Sequence, residues 1–311
     1  MAVKILTVSS ANMDLNMRVS EAPKKGQTIL GGEYKYVSGG KGANSATAVA
    51  KLGGESIFCA ALGNDGNGET LKAIYKKDNI VIDHILTLDS VPTGLATVTV
   101  EDDGANRIVV FSGANGFLSA EHAIASAKKC APDAVFCHFE IPYETVCAVS
   151  QYCYEAGIPL VVDAGPASTE YDLSKLAPMC VFSPNETETE IFTGVCPCDD
   201  ESTLEAAKSL SKLVKAEYYI LKLGSRGVAV YDGKELINVP TYDVKVVDTT
   251  AAGDSFTAAM TLEYMRLRDI VRACRYGNAV ASITVSKQGA GDSIPNSDEL
   301  EKFLNENNIV I

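Results

Sequence analysis

The chain has 311 residues, 46% of them hydrophobic and 22% charged, with a formal net charge of −13. That length buries a large core and suits one big α/β domain or two smaller ones. The acidic balance argues against nucleic acid and anionic membranes as partners, both of which call for a basic face, yet leaves room for a phosphate site whose potential is set by a few local amides and cations.

Taken from the N-terminus, apolar runs bounded by turn signals fall at residues 5–8, 56–62, 134–139, 159–162, 180–182 and 218–223. Helix-period segments at 43–52, 67–77, 142–156 and 204–215 lie between several of them. Continuous apolar strands alternating with amphipathic helices predict a three-layer α/β fold, with a mainly parallel central sheet and helices on both faces. The C-terminal part reads as helices at 252–267, 270–286 and 297–305. Two stretches break this rhythm. Residues 16–38 have no helical period, and Tyr34-Lys-Tyr-Val37 alternates; residues 94–111 alternate through Ala96-Thr-Val-Thr-Val100 and Arg107-Ile-Val-Val-Phe111 around a turn with Asp103-Gly104, a hairpin pattern. They predict a small β-sheet, built from about 15–38 and 94–111, inserted as a lid in a single domain spanning 1–311.

Several motifs fall at the ends of these elements. Asn12-Met-Asp14 follows the first strand, where ligands of parallel sheets bind; the pair suits a polyhydroxylated ring, or forms an Asx turn. Gly39-Gly-Lys-Gly-Ala-Asn44 opens helix 43–52, its glycines permitting close backbone approach and Lys41 and Asn44 offering donors to hydroxyls. It is not a Walker A loop, and neither G-x-x-x-x-G-K-[ST] nor G-x-G-x-x-G occurs in the chain. Glu140 ends the strand 134–139, where a water-facing carboxylate is equally ordinary. Asn185-Glu-Thr-Glu188 begins a helix with charge that can simply compensate the dipole. Lys222-Leu-Gly-Ser-Arg-Gly227 joins two strands, as a plain hairpin turn or as a loop that a planar base or phosphates can approach.

Asp248-Thr-Thr-Ala-Ala-Gly-Asp-Ser-Phe256 is the most informative stretch. It sets a carboxylate, Asp254, after three small residues at a helix mouth, where free N–H groups favour anions. A carboxylate is an odd choice for merely holding phosphate. It fits a base that takes a hydroxyl proton while the amides take charge from a transferring phosphoryl group; the plainer reading is an Asp favoured by the dipole. The histidines, His84, His122 and His138, carry no ligand or triad spacing and read as structural or surface residues. Nine cysteines without a C-x-x-C pair read as mostly buried thiols of a reducing compartment, and Cys196-Pro-Cys198 is a poor zinc site. With no apolar stretch long enough to span a membrane and too short an apolar run at the N-terminus for a signal peptide, the expected location is the cytoplasm.

The segment from Asp248 to Phe256 resembles the second signature of the ribokinase-like carbohydrate and nucleoside kinases. Gly39 to Asn44 and Asn185 to Glu188 resemble two further motifs of that family, in its order and at its spacing, so the resemblance covers essentially the whole chain. The Lys-Gly-Ala-Asn form is most similar to the ribokinase branch. The resemblance implies transfer of the γ-phosphoryl group of ATP to the 5-hydroxyl of D-ribose. Asn12, Asp14, Gly40, Lys41, Asn44, Glu140 and Asp254 would meet the sugar, Asp254 acting as general base and the amides of Ala251, Ala252 and Gly253 as anion hole. Asn185, Lys222, Gly224, Ser225, Gly227, Gly253 and Asn278 would meet the nucleotide. It further implies Mg²⁺ held by Glu188 largely through water, and a monovalent cation, usually K⁺, near Asp248, Thr250, Thr284, Lys287, Gly289 and Ser293. In the family the lid closes over the sugar and often builds a homodimer interface.

Two residues and two short segments depart from the commoner family pattern: Ala251 stands where many members have Gly, Lys222 where Thr is common, and Cys137-His138-Phe139 and Asp163-Ala-Gly-Pro166 differ from commoner ribokinase versions. Other acceptors, namely deoxyribose, a nucleoside or a ketose, stay open on the sequence, as does a non-catalytic sugar-binding protein.

Overall fold

Eight strands form the central sheet of the computed structural model, which describes residues 2–103 and 105–311. In spatial order they are β14 (Leu236–Val239), β13 (Val228–Tyr231), β12 (Ala216–Lys222), β11 (Met179–Ser183), β10 (Leu160–Asp163), β9 (Ala134–His138), β1 (Lys4–Val8) and β4 (Glu55–Cys59). Pairing is parallel from β12 to β4, and the last two strands add on antiparallel at the β12 edge. The helices are α1 (Lys41–Lys51), α2 (Gly66–Lys77), α3 (Ala120–Cys130), α4 (Tyr143–Ala156), α5 (Glu186–Thr193), α6 (Asp200–Leu213), α7 (Ala252–Leu267), α8 (Ile270–Val285) and α9 (Ser297–Glu306).

The central strands read as unbroken apolar runs because both faces of the sheet are covered. Leu6, Val8, Val135, Cys137, Leu160 and Val162 pack with residues of α3, α4 and α6 in one core. Their neighbours Ile5, Phe136 and Val161 point the other way, into a second core with residues of α1, α7, α8 and α9. The expected three layers are therefore present. No helix among the described residues is long and apolar enough to cross a membrane.

The lid is a four-stranded sheet, in the order β3 (Tyr34–Gly39), β2 (Asn12–Val19), β7 (Gly94–Glu101) and β8 (Asn106–Phe111). Of the expected hairpin turn, Gly104 lies outside the described residues, whereas the flanking strands pair antiparallel. Three details differ from the sequence reading. Asn12-Met-Asp14 is no turn: it forms the first residues of β2, which pairs with β3 and β7 from Asn12 onward. The run 56–62 divides at Ala60, and β5 (Ala61–Gly63) leaves the central sheet to pair with β6 (Leu86–Leu88). Helix α3 has no predicted counterpart, although its cap is legible: Ser119 Oγ accepts from the His122 amide at 3.2 Å.

The cysteine expectation also needs amendment. Cys196 and Cys198 are joined to each other across Pro197 on the surface. Cys59, Cys137, Cys153, Cys180 and Cys274 are buried free thiols, and Cys130 and Cys147 are half-buried.

Strand β1 lies between β4 and β9, so the chain departs from it in opposite directions, through α1 to β4 and later through α3 to β9. Such a switch opens a crevice outside the carboxyl ends of the strands. The chain places Ser10, Glu140, Asp163, Asn185 and Lys222 at or just beyond those ends.

Candidate active site

Helix α1 begins at this crevice. Gly40, at its N-cap, has φ 89°, and a Cβ there would come within 2.9 Å of the Asn12 amide, so Gly serves both conformation and space. The Lys41 amide donates to Glu140 Oε2 at 3.2 Å, and Ser10 Oγ donates to the same oxygen. Glu140 thus lies at the positive end of α1 rather than in free solvent. Asn12 is buried, and its Oδ1 accepts from Asn115 Nδ2 at 2.7 Å; the Asn115 amide also brackets Ala11. Asn115 is a positioning residue that the sequence reading did not identify, since an isolated Asn in a loop carries no pattern.

Asp14 points its Oδ1 into the protein without a hydrogen-bond partner. Burial, and secondarily the charge of Glu140, push its pKa up to about 7. A buried carboxylate oxygen of this kind is a ready acceptor for a ligand hydroxyl.

Helix α7 brings Asp254 to the same place. Asn44 Nδ2 donates to Asp254 Oδ2 at 2.8 Å, and Lys41 Nζ lies 3.5 Å from Asp254 Oδ1. Asp254, foremost, and then Asp163 and the two glutamates hold the Lys41 ammonium in its charged form against the opposing effect of burial. The helix starts from Ala251 in the left-handed region (φ 62°, ψ 6°), with no side-chain cap. By position, the amides of Ala251, Gly253 and Asp254 precede the first intrahelical donor, Ser255 N, and are spare for an anion. The Ala252 amide donates to Thr249 O at 3.3 Å and is not free, as the sequence led one to expect it to be.

The α5 end behaves differently from the simple dipole reading. Asn185 and Glu188 form a capping box, with Glu188 N donating to Asn185 Oδ1 and Asn185 N donating to Glu188 Oε2, both at 2.8 Å. The N-x-x-E spacing is the sequence signal for it. Glu188 Oε1 stays free of that box and faces Gly165, where a Cβ would collide with it. Burial, the largest influence, raises the pKa of Glu188, with Lys222 acting against it. One carboxylate with one uncommitted oxygen fits Mg²⁺, which keeps most of its water and takes few protein ligands.

Lys222 ends β12, and its Nζ donates to Asp163 Oδ2 at 2.6 Å. Gly224 (φ 54°) and Gly227 (φ 83°) turn the chain after it. These residues, with Ser225, Gly253, Phe256 and Asn278, line a cavity of about 550 Å³ beside the start of α7. Asn278 does not offer its amide hydrogens to that cavity, because Nδ2 donates to Val239 O and Pro240 O, each at 3.0 Å. It shapes the wall. His138, read from the sequence as structural or surface, is fully buried among these groups; a ring nitrogen of His138 and carboxylate oxygens of Asp163 and Asp254 lie within 4.8 Å of one another. Burial keeps its pKa below the ordinary value.

The remaining predicted residues gather at the far side of the α7 entrance. Asp248 Oδ1 accepts from the Thr250 amide (2.9 Å) and hydroxyl (2.7 Å), and Oδ2 accepts from the Gly289 amide at 3.0 Å. Thr284 and Ser293 donate to the carbonyls of Val280 and Ala290, and Lys287 pairs with Glu299.

A pfkB family carbohydrate kinase model matches residues 2–297. The chain belongs to this family. The kinase is 36% identical to the ribokinase of Haemophilus influenzae over 304 residues, 97% of this chain and 98% of that one. It is 32% identical to the ribokinase of Bacillus subtilis, over 96% of this chain and 99% of the other. Among solved structures, Arabidopsis thaliana ribokinase complexed with ribose and ATP superposes with a TM-score of 0.86 at 30% identity, covering 98% of the kinase and 99% of that chain. The chain is thus a phosphotransferase acting on a sugar hydroxyl, as its three motifs led one to expect.

Proposed function

We propose that this kinase transfers the γ-phosphoryl group of ATP to the 5-hydroxyl of D-ribose, giving ribose 5-phosphate. The observation that carries the reading is the buried carboxylate of Asp254, held by Asn44 and Lys41 of the first motif while lying in the first turn of α7. One group thereby joins a polar pocket suited to sugar hydroxyls to a helix start suited to phosphate. The names of the relatives support ribose as the acceptor.

In this reading Asn12, Asp14, Gly40, Lys41, Asn44 and Glu140 hold the sugar. Asp254 takes the hydroxyl proton as the oxygen approaches phosphorus in line, and the free amides at the start of α7, those of Ala251 and Gly253 among them, receive the equatorial charge. Lys222, Gly224, Ser225 and Gly227 border the nucleotide, with Asn185 near its phosphates and Asn278 shaping the base pocket. Mg²⁺ would be held by Glu188, largely through water, and would neutralise phosphate charge. The loop system of Asp248, Thr250, Thr284, Lys287, Gly289 and Ser293 would hold K⁺ through carbonyls and so steady the α7 entrance. Replacing K⁺ by a bulky organic cation is expected to slow turnover several-fold; an unchanged rate refutes cation activation.

The lid fits a homodimer. Its two opposite edge strands expose Tyr34 and Tyr36 on β3 and Ile108, Val109, Val110 and Phe111 on β8, apolar surface that a second copy of the chain would cover. The free thiols support a cytoplasmic location.

The assignment is tested by ADP release from Mg·ATP with K⁺ across D-ribose, 2-deoxyribose, fructose, fructose 6-phosphate, adenosine, cytidine and pseudouridine. A strong preference for ribose is expected. Preference for another acceptor keeps the mechanism and overturns the substrate, and sugar binding without ADP release would favour a non-catalytic binder.

A further inference from the structure

Two positively charged features converge at one corner of the nucleotide cavity. Lys222 Nζ lies 3.6 Å from the position that a Cβ on Gly253 would occupy, so the ammonium borders the first turn of α7. A cation beside a helix N-terminus is unfavourable unless an anion is shared between them. The Lys222 side chain is 12% exposed and its partner Asp163 1%, so this is not a solvated surface pair. Asp163 occupies one of the three donor directions of the ammonium. The same Asp163 Oδ2 accepts from Thr257 Oγ1 at 2.7 Å, and Thr257 Oγ1 is itself 3.0 Å from the Gly253 carbonyl, one turn back along α7. A single buried oxygen therefore links the ammonium to Thr257, one turn along α7 from Gly253.

We propose that Lys222 is a phosphate-binding catalytic residue of this chain, donating to the β- and γ-phosphoryl oxygens of ATP, and that Asp163 is the positioning residue that holds it against the anion hole. The inference rests on the kinase reading and adds a second cation to the cradle. In the transfer itself the bond from γ-phosphorus to the β–γ bridging oxygen breaks and the bond to the acceptor oxygen forms. The acceptor proton goes to Asp254. Lys222 gives up no proton and acts by charge and hydrogen bonding.

A purely structural Lys222, present only to neutralise Asp163, predicts different behaviour, because removing both charges of a buried pair is far milder than removing one. Lys222→Met, Asp163→Asn and the double variant are compared by thermal melting, by ADP release, and by calorimetric binding of AMP, ADP and a non-hydrolysable ATP analogue with Mg²⁺. Nucleotide binding is measured without sugar, so its outcome is independent of which sugar is accepted. For Lys222→Met the expectation is a loss of about tenfold or more in affinity for ADP and the ATP analogue, the range of a charged hydrogen bond, with AMP binding unchanged and kcat lowered. The double variant is expected to melt above the less stable single variant yet to remain as slow as Lys222→Met. Recovery of wild-type turnover in the double variant overturns the proposal. So does an equal loss of AMP and ATP-analogue binding, which would mean a collapsed base pocket.

Discussion

Asp254→Asn is expected to lower turnover by at least about 10²-fold, equivalent to about 2.7 kcal/mol of transition-state stabilisation, while leaving sugar affinity within a few-fold of wild type. The substitution keeps the shape of the side chain and one carbonyl oxygen, which continues to accept the hydrogen bond that Asn44 Nδ2 now gives to Asp254 Oδ2. The site around the sugar is therefore retained, and what is lost is a group able to take a proton. The amide also deprives Lys41 of its nearest counter-charge, 3.5 Å away, but Glu140, Asp163 and Glu188 still act on that ammonium. Turnover by ADP release and sugar affinity by calorimetry, measured on the same preparation, separate the two roles. Near-normal turnover removes Asp254 from the chemistry. A fall in sugar affinity that accounts for the whole fall in kcat/KM makes it a binding residue instead.

The second large effect is expected in the pH profile. Asp14 has its pKa raised to about 7, by burial first and by Glu140 second. On the proposed reading its ionised form would accept sugar hydroxyls and its neutral form would be the poorer acceptor, so kcat/KM for the sugar should follow the ionised fraction. The profile then falls tenfold per unit below pH 7, reaching about 100-fold below its plateau at pH 5. Asp14→Asn should be slow throughout and show no such limb; a variant that retains the same limb assigns the titration to another group.

Stability should move in the opposite direction. The native value lies above the unfolded one of about 3.9, so between about pH 4 and pH 7 the native chain binds more protons than the unfolded chain. Stability contributed by the neutral form is present below pH 4 and is lost as pH rises through 7. Above that, the buried charge destabilises the wild type, and Asp14→Asn is expected to raise Tm at pH 8 while lowering activity. That trade is common where a site is built from desolvated charge.

Composition and periodicity alone led to the layered α/β architecture and the existence of the lid. Apolar runs buried on both faces have no polar alternation to hide them, and strands such as 134–139 stand out against amphipathic helices. Motifs tied to backbone demands were legible too: Gly40 has to turn with positive φ, and small residues have to clear the mouth of α7. Those constraints act within a few residues of chain, where sequence speaks directly.

What the sequence could not supply was pairing between distant segments. Asn115 lies 103 residues from the Asn12 that it orients, and Asp163 lies 59 residues from Lys222 and 94 from Thr257. Each is an unremarkable polar residue in its own window, and becomes a site component only because parallel strands end side by side. The raised pKa of Asp14 has the same origin, since burial and the approach of Glu140 are properties of the assembled crevice and not of either residue. The chain thus carries its fold class and motif inventory in local pattern, while the charge balance of the site arises from which strand ends the tertiary structure sets together and seals from water.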